Sequence, residues 1–455
     1  MKIVVLNGSP KGKNSVTIQT SYYLEKRYPE HSFEVLHVGA RIRAYEKEFA
    51  SAKVALEAAD MVLFSYPVYT FLAPYQLHRF MELLKASGTD LRGKYATQIS
   101  TSKHFYDVTA HKWVEENAYD LGMKYLGGLS ADMEDLRQEK GLAEADCYFE
   151  KLMFDAKHDI YKVRTRAAAA PKTEPYQPVL ENTPKSADKS VVMVTNVSAQ
   201  DINLQNMIAD VKAACPYPIK VVNMREFAFS GGCLGCLQCA TTEQCVYKDG
   251  FDEYLRKEIQ TADAIINAFT IQDHYTEASL KCYDDRQFCN GHRTVTQGMP
   301  VAYLISGDYQ NEPLMQMLVE ARSEVGGVYL AGVATDEGDI AADIQKLMVS
   351  LQYALTHTMA KPTNFYGVGG SKIFRDLVYQ MRGMMKADHK FYKSHGVYDF
   401  PHNQPFKILQ MQLVGAMLSV PSVQKKMKGK LSSYIIAPYT KIIENTKPAN
   451  QKEDV

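Results

Sequence analysis

Cys233, Cys236, Cys239 and Cys245 fall within thirteen residues as C-x2-C-x2-C-x5-C, inside SGGCLGCLQCATTEQCVYKDG. Glycines flank them and let the backbone fold around a metal centre. Three cysteines in successive x2 steps are typical of cubane ligation, whereas structural zinc sites more often use two separated CxxC pairs that reach a tetrahedron from opposite sides. The spacing therefore predicts a [4Fe–4S] cluster on these four residues, with zinc or reduced thiols as alternatives. A reducing compartment favours metal or redox chemistry over disulfides for so dense a group. Cys147, Cys215, Cys282 and Cys289 read as buried small hydrophobes.

A second constellation, Asn7-Gly8-Ser9-Pro10-Lys11-Gly12-Lys13-Asn14-Ser15, lies between a β-rich run and a helical pattern. There backbone N–H groups and a helix N-terminus can hold a phosphate, and small hydroxyl and amide side chains add donors without crowding it. The segment lacks the GxxxxGK[ST] order of a nucleoside-triphosphate loop and the GxGxxG of a dinucleotide fold. A flavin mononucleotide phosphate fits it better than ATP or NAD.

Together, NGSPKGKNS and the later SYPVYT at positions 65–70 resemble the NADPH-dependent FMN reductase branch of the flavodoxin-like family. That resemblance implies that Ser9, Lys11, Asn14, Ser15 and Thr17 surround the FMN phosphate. It implies also that Pro67, Val68, Tyr69 and Thr70 contact the isoalloxazine ring, and that Thr101 and Ser102 close its far side. The cysteine run is similar to that of the iron–sulfur flavoproteins, a subgroup in which it holds a [4Fe–4S] cluster beside FMN. ASLKCYDDRQF at 278–288 resembles an LK…DR segment of the family, with Lys281, Asp285 and Arg286 expected as structural ion-pair residues.

These motifs need elements to position them. Lys2–Asn7 reads as a strand and about Ser15 to Tyr28 as a helix. Further short apolar runs at Met61–Ser65, Tyr95–Ser100 and after Gly127-Gly128 alternate with helical patterns. Such alternation predicts a parallel sheet covered on both faces, with ligands beyond the carboxyl ends of its strands. The stretch 164–189 is rich in proline and reads as a linker.

After it the pattern restarts. Ser190–Asn196 resembles Lys2–Asn7, Thr261–Asp273 resembles Ala58–Thr70, Met299–Asp308 takes the place of Gly93–Ser102, and Gly326-Gly327 that of Gly127-Gly128. The expected architecture is α/β: two tandem flavodoxin-like, doubly wound parallel-sheet domains at 1–163 and 190–360, then a helical C-terminal extension at 361–455. The two would pack as a pseudo-dimer within one chain. The second copy has Thr195–Asp201 where the phosphate loop should be, with an acidic residue that repels phosphate, and the first has no cysteine cluster. Each half keeps one cofactor motif. In QMRGMMK, Met381, Met384 and Met385 are assigned to packing.

Composition bounds the function. Hydrophobic residues make up 46% and charged residues 23%, a globular balance, and 52 basic residues equal 52 acidic ones, so no net field draws the chain to nucleic acid or an anionic membrane. Ile408–Val420 is too short to span a bilayer and reads as a buried or partner-facing helix. The N-terminus reads as a strand rather than a secretory signal, which gives a cytoplasmic expectation. The expected activity is oxidoreduction: electrons from NAD(P)H or a reduced ferredoxin pass through FMN and the cluster to a small acceptor. A non-enzymatic carrier or redox sensor, and a zinc-stabilised binding protein, are the alternatives.

Overall fold

Ile3, Val4, Val5 and Leu6 are all fully buried, which only a strand covered on both faces achieves. Val4 and Leu6 belong to one hydrophobic core and Ile3 and Val5 to another, so successive side chains feed opposite faces of one sheet. This is β1, Lys2–Asn7, an inner strand of a parallel sheet with β2 (Ser32–Leu36), β3 (Met61–Pro67), β4 (Tyr95–Ser102) and β5 (Lys124–Asp132) in the order β2-β1-β3-β4-β5. The computed structural model describes residues 1–164, 175–359, 361–427 and 431–446.

A second sheet contains β6 (Val191–Thr195), β7 (Ile219–Asn223), β8 (Ala264–Gln272), β10 (Pro300–Ser306) and β11 (Tyr329–Thr335) in the order β7-β6-β8-β10-β11, all parallel. The two-residue β9 (Tyr275–Thr276) pairs antiparallel with the end of β8. The strand order matches that of the first sheet. Val192 and Val194 share the core of Val4 and Leu6, while Val191 and Met193 face a core of their own. One face of each sheet thus contributes to a single continuous core, and the helices Tyr75–Ala86 and Ala278–Arg286 pack on each other across it.

The glycine pairs occupy different places from those expected. Gly127-Gly128 does not precede a strand; it lies within β5, where the register against β4 shifts. Its counterpart in the second sheet is Gly332, at the register shift between β10 and β11, and both Gly127 and Gly332 have positive φ. Gly327 instead follows the helix Pro313–Gly326 in a left-handed conformation, as Gly122 does after the helix Asp107–Asp120. A bulge and a helix end each need a residue without Cβ, so the same residue type recurs for two unrelated reasons.

Residues 165–174 of the expected linker lie outside the described residues. From 175 onward the stretch has neither helix nor strand, yet it is tied along the helix Ile202–Ala214. Leu180 N donates to Asp210 at 2.9 Å, Thr183 N to the Ala213 carbonyl at 2.9 Å and Ser186 N to that of Pro216 at 2.8 Å. Beyond 361, the helix Phe365–Gln380 belongs to the compact unit Met1–Tyr392, and Lys393–Val455 forms a unit of its own. The latter carries the helices Pro405–Leu418, Pro421–Met427 and Leu431–Glu444. Among the described residues no helix is long and apolar enough to cross a membrane.

Backbone approaches closely at one point that matters for the site. Gly39 donates to the Asn7 carbonyl at 2.9 Å, and a Cβ on it would stand 2.3 Å from the Gly8 carbonyl oxygen. Gly39→Ala is therefore expected to destabilise the protein by about 1–3 kcal/mol in a denaturant titration. Gly383→Ala, where a Cβ would meet nothing within 4 Å, should stay within about 0.5 kcal/mol of the parent.

Candidate functional site

The carboxyl ends of β1, β3 and β4 carry the loops 8–15, 68–74 and 103–106. In the first, the buried Asn7 holds both limbs: its Nδ2 donates to the Gly12 carbonyl at 2.9 Å and its Oδ1 accepts from Ser9 N at 3.1 Å. The helix Val16–Arg27 then begins at Ser15, which makes no side-chain capping bond. Its first-turn amides thus have no side-chain cap, an arrangement that can hold an anion. Ser9, Ser15 and Thr17 are buried around this point, and the Thr17 and Thr101 hydroxyls hydrogen-bond to each other, joining the loops after β1 and β4.

After β3 the chain reverses in a tight turn. Tyr69 N donates to the Leu72 carbonyl at 2.7 Å and Leu72 N to that of Tyr69 at 3.1 Å. The two central residues, Thr70 and Phe71, both have positive φ (47° and 70°) although neither is glycine. Such strain persists only where the surroundings over-determine it. Here the second half does so: Lys281 Nζ donates to the Tyr69 carbonyl at 2.9 Å, Thr70 Oγ1 donates to Asp285 Oδ1 at 2.9 Å, and Tyr75 N to Asp285 Oδ2 at 2.7 Å. Lys281 and Asp285 are themselves a fully buried ion pair. Burial opposes charge on both, drawing the Lys281 ammonium down and the Asp285 carboxyl up, while each partner counteracts the shift of the other.

The exchange runs in the other direction as well. Asp273 and His274, the turn between β8 and β9, also have positive φ, and the Asp273 carbonyl accepts from Trp113 Nε1 at 2.9 Å while its carboxylate pairs with Lys85 at 2.7 Å.

Arg286 organises the cysteine segment. Its guanidinium pairs with Asp249 in a fork, Nη1 to Oδ2 and Nη2 to Oδ1, both at 2.8 Å, and Nη1 also donates to the Gly231 carbonyl at 2.9 Å. It thereby fastens both ends of the loop that bears the four cysteines. Nη2 also lies 3.8 Å from Cys245 Sγ, and the guanidinium sits 4.5 Å from the Tyr247 ring centroid. Within the loop, Gly235 N donates to Cys233 Sγ at 3.4 Å and Cys239 Sγ donates to the Phe288 carbonyl at 2.8 Å. Gly235 is required where it stands, because a Cβ there would lie 2.0 Å from the Tyr69 hydroxyl. Burial raises the Cys233 thiol strongly and pushes that of Cys239 up to about 11.

One cavity gathers these parts. Ser9, Lys11, Ser15, Thr17, Pro67, Val68, Tyr69, Thr70, Thr101 and Ser102 line it together with Cys233, Cys236, Cys239 and Cys245. Asn14 is exposed and lies outside that lining. Among the described residues no three histidine, cysteine or carboxylate side chains converge as a single metal ion requires.

The sequence reading did not place Arg286, Phe288, His292 or the residues that roof the cavity on this site. The roof is Ile373, Phe374, Leu377, Met381 and Met385. Phe374 stacks on Phe105 at 4.2 Å between centroids and meets His292 at 4.8 Å. The fully buried Asp388 anchors it by accepting from His292 N at 3.1 Å and pairing with Arg293 at 2.9 Å. Met384, grouped with Met381 and Met385 as packing, is instead 60% exposed. Cys147 likewise is exposed rather than buried, whereas Cys215, Cys282 and Cys289 are buried as expected.

The equivalent loop of the second half is filled from within. Asp201 Oδ2 accepts from Ser198 N at 2.7 Å and from its hydroxyl at 2.5 Å, so a carboxylate stands at the start of the helix Ile202–Ala214. A phosphate would meet that negative charge instead of open donors.

Two consequences are measurable. Burial favours a neutral Asp249, but the hydrogen bonds from Arg286 and from Ser230 N prevail and hold its carboxyl at about 2. Its stabilising contribution is thus complete above about pH 4, the ordinary carboxyl range, and is lost as pH falls towards 2. Asp249→Asn should cost about 3 kcal/mol at neutral pH, by leaving Arg286 unpaired, and should flatten stability across that acidic window. Lys281→Met should cost about 3–5 kcal/mol, and Lys281→Met with Asp285→Leu distinctly less than the single substitution, because a lone buried charge is worse than none.

Parts of the chain are similar to known proteins. Residues 1–132 match the family model described as NADPH-dependent FMN reductase. An iron–sulfur flavoprotein of Archaeoglobus fulgidus is 24% identical over 173 residues, covering 36% of this chain and 78% of that protein. Among solved structures, an FMN-dependent NADH-azoreductase from Bacillus anthracis in complex with FMN is 14% identical over 35% of this chain and 100% of that one, with a TM-score of 0.27. A WrbA-like flavodoxin from Agrobacterium tumefaciens is 18% identical over 34% of this chain and 97% of that one, with a TM-score of 0.26. Residues 1–132 thus form an NADPH-dependent FMN reductase domain of the flavodoxin-like family.

Proposed function

We propose that the chain is a flavin-dependent oxidoreductase that moves electrons between NAD(P)H or a ferredoxin and a small acceptor, using FMN and a [4Fe–4S] cluster held in one cavity. The observation that carries this reading is the meeting of the phosphate loop and the four cysteines on a single lining, from opposite halves of the chain. The name of the Archaeoglobus relative couples an iron–sulfur group with a flavin.

The residues suit both groups. For FMN, the uncapped start of the helix Val16–Arg27 and the buried hydroxyls of Ser9, Ser15 and Thr17 supply donors to a phosphate, with Lys11 at the rim. Pro67–Thr70, held rigid by Lys281 and Asp285, would lie against the ring. For the cluster, Cys233, Cys236, Cys239 and Cys245 are the ligands. A cubane takes each thiolate on a different iron, so four sulfurs must surround a volume rather than converge on a point. The N–H of Gly235 donates to Cys233 Sγ and Arg286 Nη2 lies 3.8 Å from Cys245 Sγ, so both sulfurs have donors around them. When bound, FMN supplies hydride acceptance from a nicotinamide and the cluster supplies transfer of one electron at a time. The chain's own part is to bind both, to orient them through the Tyr69 turn and the Arg286 fork, and to exclude water with Phe374, Leu377, Met381 and Met385.

We propose further that the halves are divergent copies of one flavodoxin-like domain packed as a pseudo-dimer. Supporting this are the common strand order, the bulges at Gly127 and Gly332, and the two positive-φ turns each held by the opposite half. Asp201 accounts for the absence of a phosphate loop in the second copy.

Anaerobic purification with flavin, iron, sulfide and zinc counted per chain tests the proposal. The expected result is one FMN with about four irons, the content of one cubane. Cys245→Ser should lose the iron and keep the flavin. Ser9→Ala with Ser15→Ala should weaken FMN binding about 10- to 100-fold, as loss of hydrogen bonds to a charged group does. Zinc without flavin would overturn the reading in favour of a binding or structural role.

A further inference from the structure

The equality of basic and acidic residues hides an uneven distribution. Between Phe400 and Ile443 there is no aspartate, glutamate or arginine, and there are six lysines: Lys407, Lys425, Lys426, Lys428, Lys430 and Lys441. Since the whole chain is neutral, the remaining residues carry a net charge of −6. The same segment holds the helix Pro405–Leu418, in which no residue is buried. Phe406 is 87% exposed, Leu409 53%, Leu413 59% and Met417 61%; spaced three or four apart, they share one face, and Ile408, Met411 and Val414 are exposed around the rest of the helix. Ile442 and Ile443 of the helix Leu431–Glu444 are exposed as well. Of the two readings of Ile408–Val420, a buried or a partner-facing helix, the exposure of its apolar side chains is the pattern of the second.

Exposed apolar surface of this continuity marks an interface. At 14 residues the helix Pro405–Leu418 is too short to cross a bilayer, but lying in the headgroup plane requires no such length. The charge pattern selects the occupant. A second copy of this segment would bring six more lysines against the first six. An anionic bilayer offers negative headgroups to the lysines and acyl chains to the apolar side chains, the two signals that make peripheral attachment stable.

We propose that residues 400–443 dock the protein on an anionic lipid surface, Phe406, Leu409, Leu413 and Met417 entering the acyl boundary and the lysines engaging headgroups. The redox cavity plays no part in this attachment, so the docking stands or falls independently of the cofactors.

The test is sedimentation of the full chain with vesicles. It should pellet with phosphatidylserine–phosphatidylcholine vesicles, remain in the supernatant with phosphatidylcholine alone, and be released by salt. Lys425→Gln with Lys426→Gln should weaken binding about 25-fold, at about fivefold per lysine, and Phe406→Ser with Leu413→Ser should abolish pelleting. Both variants should keep the melting temperature of the parent. A chain that stays in the supernatant with phosphatidylserine vesicles, or that pellets equally with both compositions, would overturn the proposal. So would dimerisation by light scattering that Phe406→Ser with Leu413→Ser abolishes while no vesicle binding is seen.

Discussion

The buried pair Lys281–Asp285 is the interaction on which the rest of the site depends. Two charges removed from water cost far more than they return unless every remaining donor and acceptor is satisfied. Both find their partners on the other half: the Tyr69 carbonyl, the Thr70 hydroxyl and the Tyr75 amide. The pair can therefore be accommodated only when the two sheets are docked. Docking in turn forces Thr70 and Phe71 into the left-handed conformation that aims the turn at the cavity.

From that constraint the geometry propagates in both directions. Asp285 and Arg286 are consecutive on one helix, so the residue that secures the Tyr69 turn is followed by the one that secures the cysteine loop through Asp249 and Gly231. A shift in one would be felt by the other. The shared core of Val4, Leu6, Val192 and Val194 supplies the apolar area that holds the halves together, and the polar exchange sets their register. The two loops at the starts of the first helices differ physically: Ser15 makes no side-chain cap on the helix Val16–Arg27, whereas Asp201 places a carboxylate at the start of the helix Ile202–Ala214.

The extension beyond residue 361 has two characters. As far as Tyr392 it is part of the first compact unit, roofing the cavity with Phe374, Met381 and Met385 and anchored by the buried Asp388. Within the unit from Lys393 onward, the stretch Phe400–Ile443 has exposed apolar helices and lysine alone among Asp, Glu, Lys and Arg. The first pattern is that of a lid over chemistry, the second that of a surface awaiting a partner.

By itself, the sequence determined the local chemistry: the loop after β1, the parallel α/β architecture, the four-cysteine run, and the Lys281, Asp285 and Arg286 triad. These are legible because each depends on residues near one another in the chain, through strand burial, turn geometry or ligand spacing. Only the tertiary structure decided that both motifs face one cavity, that Asn14 lies outside its lining, that Gly127 and Gly332, rather than Gly327, stand at the register shifts of their sheets, and that Met381 and Met385 line the site while Met384 does not. Those outcomes turn on contacts between residues distant in sequence, where a helix's rotation or a one-residue bulge settles which side chain faces the ligand.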